Sequence, residues 1–236
     1  MAILAIDTST IVSGAAIVHN DKLVAEIIMQ LKLPQSEVLL GHVQDVLKIA
    51  HMDKSELTGI AVSIGPGSFT GLRIGLATAK MLSYALDIPV VAVSSLEAMA
   101  YHYPVSGVYV ASVLDAQKSN AYFALYEWNG QNFDEKKQTC VMNFEEVVKY
   151  CATLDKPVVF VGDIAQKKSS VFADYENVSL GLEHLCMPRA SNVAMAAKAR
   201  FKQNSFDNIM DLEPVYIRRS EAEVLWEQRH GKKLME

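Results

Sequence analysis

Two aspartates stand where a buried strand could deliver them to a phosphate. Asp7 closes the apolar run at 2–6 and is followed directly by Thr8 and Ser9, and Asp115 closes a second apolar run at 107–114. A carboxylate at a strand end, beside small hydroxyls, can hold a metal-bound phosphate. Ordinary turn chemistry after a strand uses the same residue types. A third candidate is Ser63-Ile-Gly-Pro-Gly-Ser-Phe-Thr-Gly-Leu-Arg-Ile-Gly75. Its glycines permit positive φ or close backbone approach, Pro66 stiffens the turn, and Ser68 or Thr70 can cap a following helix. Such a turn can cradle phosphate on its N–H groups, or it can be a tight strand-to-helix connection. It has neither the Lys-Ser/Thr of a P-loop nor the spacing of a dinucleotide fold. Gly71, Gly75 and Ala79 fall four residues apart on one helical face. A helical Gly costs roughly 1 kcal/mol against Ala, so this stripe predicts a close approach there, by preference from another helix, of this or of another subunit.

No residue presents itself as catalytic. There is no H-E-x-x-H, and Ser68 lies in Gly67-Ser68-Phe69-Thr70-Gly71, which is not a nucleophile elbow. Cys140, Cys151 and Cys186 match no metal knuckle or CxxC pair. His42 has Val46 at i+4, so no second ligand follows it on its helix, and no metal site is expected.

These groups need elements to hold them. With 236 residues, half of them apolar and 21% charged, the chain has material for one large domain or two small lobes. A formal charge of −5 predicts no strong autonomous binding to nucleic acid. The N-terminal run lacks a basic flank and meets Asp7 early, so it reads as a first strand and not a signal peptide. No segment approaches the roughly 20 apolar residues of a membrane span. A cytoplasmic protein without membrane contact is expected.

Strands are predicted at 2–7, 14–19 and 23–29, a helix at 36–50, a strand at 59–63, a helix at 71–86 and a strand at 89–93. The second half repeats this order. Strands are predicted at 107–114, 121–128, 137–141 and 157–161, and helices at 144–152, 165–172 and 192–202. The predicted boundaries are 1–103 for an N-terminal lobe, 104–220 for a C-terminal lobe and 221–236 for a tail. A duplicated β-β-β-α-β-α-β unit predicts an α/β protein of two ribonuclease-H-like lobes, the actin, sugar-kinase and heat-shock ATPase (ASKHA) architecture. In that architecture phosphates meet the first hairpin of each lobe, which makes Asp7, Thr8, Ser9 and Asp115 candidate nucleotide contacts.

The helices predicted at 36–50 and 71–86 carry more apolar residues than one sheet-facing stripe requires. The excess predicts a subunit interface, assigned to Leu39, Val43, Val46, Gly71, Leu72, Gly75, Leu76 and Ala79. The competing possibility is that this surface is covered by the chain itself. On the interface reading, Gly75→Leu breaks pairing and spares the fold. The basic end of the tail, Arg229 to Lys233, is a weak candidate for nucleic-acid phosphate, and a solvated terminus is the preferred reading.

Several motifs occur in order along the chain: Ile6-Asp7-Thr8-Ser9-Thr10, the glycine turn at 65–75, Val93-Ser94-Ser95-Leu96-Glu97, Leu114-Asp115-Ala116 and Pro214-Val215-Tyr216-Ile217-Arg218. With them the chain resembles the TsaB (YeaZ) family over almost its whole length. The resemblance implies a non-catalytic partner of the related subunit TsaD, which transfers a threonylcarbamoyl group to the adenosine beside the tRNA anticodon. It implies assembly with TsaD and a TsaE-type ATPase, a homodimer when alone, and tRNA contact through the complex. No cofactor is required, and ATP or ADP is the candidate nucleotide at the complex. The family often has His where Gln35 stands and Arg where Gln117 stands, and losing that Arg removes a cation that could meet phosphate. The alternative is a nucleotide hydrolase or phosphotransferase of the same fold.

Overall fold

The computed structural model describes residues 1–30 and 34–217. The tail expected at 221–236, with Arg218 of the last motif, lies outside the described residues. Short apolar runs build β1 (Ala2–Asp7), β2 (Ser13–His19) and β3 (Lys22–Met29) into an antiparallel meander. α1 (Gln35–Ile49) then leads to β4 (Gly59–Gly65), and α2 (Phe69–Leu86) leads to β5 (Val90–Ser94). β4 and β5 add in parallel, giving the order β3-β2-β1-β4-β5.

After α3 (Ser95–Ala100) the chain repeats itself. β6 (Tyr109–Asp115), β7 (Asn120–Trp128) and β8 (Phe133–Asn143) form the second meander. α4 (Phe144–Ala152), β9 (Val158–Val161), α5 (Asp163–Lys167), β10 (Val178–Leu180) and α6 (Ala190–Lys202) follow. The second sheet has the order β10-β9-β6-β7-β8, with β9 and β10 parallel to β6. The duplicated α/β architecture is therefore present as predicted. The sequence missed α3 and β10, extended α5 into a stretch that is 3₁₀-helical at 169–174, and shortened β8.

Each lobe lends one helix to the other's sheet. α3 packs Leu96, Met99 and Ala100 against Val110, Leu114 and Ala124 of the second sheet. α6 lays Val193, Ala194, Ala197 and Phe201 across Ile3, Ala5, Ala61 and Val91 of the first. The N-terminus of α6 is secured by Glu26 on β3. One carboxylate oxygen accepts from Ser191 N at 2.9 Å, and the other pairs with Arg189 at 2.5 Å. α1 and α2 cover the opposite face of the first sheet, where Leu39, Val43, Val46, Leu76 and Ala79 meet Leu4, Ile6, Ile17, Ile60 and Val62. α4 covers the matching face of the second sheet through Phe144, Val147 and Val148. Among the described residues no helix is long and apolar enough to cross a membrane.

Candidate functional site

The β1–β2 turn and the start of α2 form one interlocked unit. Asp7, Thr8 and Ser9 are buried, and Asp7 Oδ1 accepts from Ser9 N and Ser9 Oγ, both at 2.9 Å. Thr8 Oγ1 donates to Gly71 O at 2.7 Å, and Ser68 N donates to Ser9 O at 2.6 Å. Gln35, at the start of α1, straps the same turn by donating to Thr10 O at 2.8 Å and Val12 O at 3.0 Å. The glycines exist for this contact. A Cβ at Gly67 would strike Ser9 O, one at Gly71 would strike Thr8 O, and one at Gly75 would strike Thr8 Oγ1.

One expectation is corrected here. The small-residue stripe of α2 receives the chain's own β1–β2 turn, not another helix. Of the two possibilities for the glycine turn, the structure shows the packing connection: Ser68 N donates to Ser9 O, and the Ser68 hydroxyl that caps α2 accepts from Gly71 N. Asp7, Thr8 and Ser9 are each at most 1% exposed, and Thr8 and Ser9 are tied to the start of α2. Burial pushes the Asp7 carboxyl up to about 6, against the Ser9 bonds and the nearby Ser63 hydroxyl, which pull it down.

Asp115 is exposed at the corresponding end of β6. Its Oδ1 accepts from Gln117 N at 2.8 Å, and Asp163 Oδ1 accepts from Asp115 N at 2.9 Å. Lys167 bridges both carboxylates, at 3.0 Å to Asp115 and 2.8 Å to Asp163. Partial burial would raise the Asp115 carboxyl, but Lys167 and the Gln117 N–H outweigh it and hold the group below its usual value. The hairpin beyond it places Gln117, Lys118 and Ser119 in the left-handed region, at φ 64°, 51° and 63°.

The predicted interface residues need the same correction. Leu39, Val43, Val46, Leu72, Leu76 and Ala79 are each at most 4% exposed, and Gly71 and Gly75 are buried. All eight point inward, so the chain itself covers that face. The outward face of α2 carries Thr70, Ile74, Ala77, Met81 and Tyr84, spaced alternately four and three apart, with Met81 49% and Tyr84 76% exposed. On α1, Leu40 is also exposed, and a Cβ at Gly41 would meet nothing within 4 Å. That alternating spacing was the signal available in the sequence.

A segment from 211 to 217 runs along one flank of α2. Leu212 O accepts from Lys80 Nζ at 2.8 Å, and Val215 N donates to Ile64 O at 2.8 Å. Tyr216 stacks on Phe69, and its hydroxyl accepts from Arg73 Nε at 2.8 Å. Sequence reasoning gave these residues no role. Among the described residues, no group of three or more His, Cys, Asp and Glu side chains could hold a metal ion. His42 is buried with Nδ1 3.3 Å from Ser13 Oγ, and burial lowers its pKa.

A two-lobed ASKHA fold with this glycine-turn lock has clear relatives. Residues 34–226 match the family model of TsaD, tRNA N6-adenosine threonylcarbamoyltransferase. The chain is 31% identical to the tRNA threonylcarbamoyladenosine biosynthesis protein TsaB of Bacillus subtilis, covering 96% of this chain and 98% of that one. It is 28% identical to the Escherichia coli TsaB, covering 98% and 100%. Among solved structures, YeaZ from Pseudomonas aeruginosa superposes with a TM-score of 0.78 at 25% identity, covering 91% of this chain and 99% of that one. By class, then, this is an ASKHA-type protein akin to tRNA-modifying transferases. More particularly, the chain belongs to the TsaB family.

Proposed function

We propose that this chain is a non-catalytic subunit in tRNA threonylcarbamoyladenosine biosynthesis, acting by pairing with a TsaD-type transferase. The observation that carries this reading is the outward face of α1 and α2, where Leu40, Met81 and Tyr84 stand exposed on two helices whose sheet-facing sides are packed into the core. An apolar stripe of this kind is suited to another helix pair. The match of residues 34–226 to the TsaD model supports a partner built on the same plan, meeting this chain about a pseudo-two-fold axis. Without that partner, the same stripe would pair two copies of this chain. A TsaE-type ATPase joins the pair, tRNA is bound through the complex, any ATP or ADP is held at the complex, and the setting is the cytoplasm.

The sealed Asp7 turn and the Lys167-neutralised Asp115 favour a partner role over phosphate chemistry in the cleft. The test is reconstitution of threonylcarbamoylation from purified TsaD- and TsaE-type proteins and a TsaC-type protein, the separate enzyme that makes the threonylcarbamoyl adenylate, with and without this chain. Modification that requires the chain supports the reading. Full modification in its absence, or ATP hydrolysis by the chain alone that is lost in Asp115→Ala, refutes it in favour of an enzyme of the same fold.

A further inference from the structure

We infer that the pairing face contains a preset carboxylate receptor, the guanidinium of Arg73, and that its ligand is an aspartate or glutamate side chain of the TsaD-type subunit. This rests on the pairing reading above and adds to it a specific residue and its chemistry. Arg73 is exposed on α2, immediately before Ile74 of the apolar stripe. Its guanidinium carbon lies 3.9 Å from the centroid of the Phe69 ring. The Tyr216 ring stacks on Phe69 with centroids 4.7 Å apart and planes 29° apart, and the Tyr216 hydroxyl takes the Arg73 Nε–H. One aromatic ring therefore fixes the plane of the guanidinium, and one hydroxyl fixes its edge.

A guanidinium has five N–H donors, and the Nε–H is the one used here. Among the described residues Arg73 forms no ion pair, whereas Arg189 is paired with Glu26 and Arg200 with Asp207. The other cation of α2, Lys80, donates to Leu212 O. Among the described residues, Arg73 is thus the α2 cation with its fork held in place and unspent. A planar fork of N–H groups matches a carboxylate bidentately, and a fork already immobilised loses less side-chain freedom on binding. Beside Ile74 and Ala77, such a pair loses water as the helices close, and this is where interface charges count most. α1, α2 and Tyr216 all fall within the span that matches the TsaD model. The 211–217 segment then belongs to the pairing face through Tyr216, as a positioning residue for Arg73.

The test measures the affinity of the full chain for the purified TsaD-type subunit by calorimetry at several salt concentrations. Arg73→Ala should weaken pairing about 10- to 100-fold and flatten its salt dependence, while the melting temperature stays within about 2 °C. Arg73→Lys should lose nearly as much, because an ammonium cannot offer the fork. Tyr216→Phe keeps the ring stack, should weaken pairing about 3-fold, and should add nothing in the Arg73→Ala background. Met81→Glu serves as the reference for the pairing reading itself. If Met81→Glu abolishes pairing and Arg73→Ala leaves it intact, the receptor is refuted and the pairing face stands. If neither variant matters, both are refuted. Full rescue by Arg73→Lys would reduce Arg73 to a point charge and overturn the receptor. An Arg73→Ala defect confined to tRNA binding by the assembled complex would assign the guanidinium to phosphate and overturn it equally.

Discussion

Thr8 Oγ1 lies 2.7 Å from Gly71 O and donates to it, joining the turn after the first strand to the first turn of α2 across 63 residues of sequence. The contacts of this turn account for Gly67, Gly71 and Gly75. Their missing side chains make room for Thr8 and Ser9, so the motif is a fold lock.

The lock predicts the outcome of filling it. Gly75→Leu would drive a side chain into Thr8, where overpacking costs about 1–3 kcal/mol or more. The variant should melt well below the wild type, by at least several degrees, or fail to fold. This replaces the expectation that Gly75→Leu breaks pairing alone. A stable Gly75→Leu with normal melting would show that the turn does not sit on α2.

Asp7 makes a pH prediction. Its carboxyl is raised from 3.8 to about 6 by burial, so between those values the folded chain holds a proton that the unfolded chain has released. A raised carboxyl stabilises the fold at low pH, and this contribution is lost as pH rises through about 6. The shift corresponds to about 3 kcal/mol. Glu97, raised to about 7 by burial and by Glu135, slopes the same way. Asp7→Asn should therefore flatten the fall in stability between about pH 4 and 6 and leave the Glu97 part, as read by urea unfolding at each pH. An unchanged profile in Asp7→Asn would contradict the buried, protonated Asp7.

Glu26 tests the exchange of helices between lobes. Its side chain is 5% exposed, pairs with Arg189 and accepts from Ser191 N at the start of α6. Glu26→Ala leaves that end uncapped and Arg189 without its carboxylate, which should cost about 2–4 kcal/mol in chemical denaturation. A loss below about 0.5 kcal/mol would mean that α6 is held to the first sheet by its apolar face alone.

Much of this was legible in the residues. Alternation in 121–128, and apolar runs at 2–6, 59–63 and 157–161, were enough to reveal a duplicated lobe. α3 and β10 escaped because six and three residues give too short a period to read. β8 looked short because Asp134 to Lys137 are charged on an exposed edge strand. The site was harder. α1 and α2 are apolar on two faces, so composition identified the helices without saying whether Val43 and Leu76, or Leu40 and Met81, faced the sheet. That choice depends on where the Thr8 turn lands. The Arg73–Tyr216 bond spans 143 residues, and no local pattern announces it.

The central claim is that the outward face of α1 and α2 pairs with a TsaD-type subunit. The most direct measurement is the affinity of that subunit for the wild type and for Tyr84→Glu, with melting temperatures recorded alongside. Tyr84 is 76% exposed, so the fold should not register the change. The account predicts pairing weakened at least about 30-fold, as for a truncated aromatic anchor, with melting unchanged. Affinity within about 3-fold of the wild type, in an equally stable variant, would contradict it.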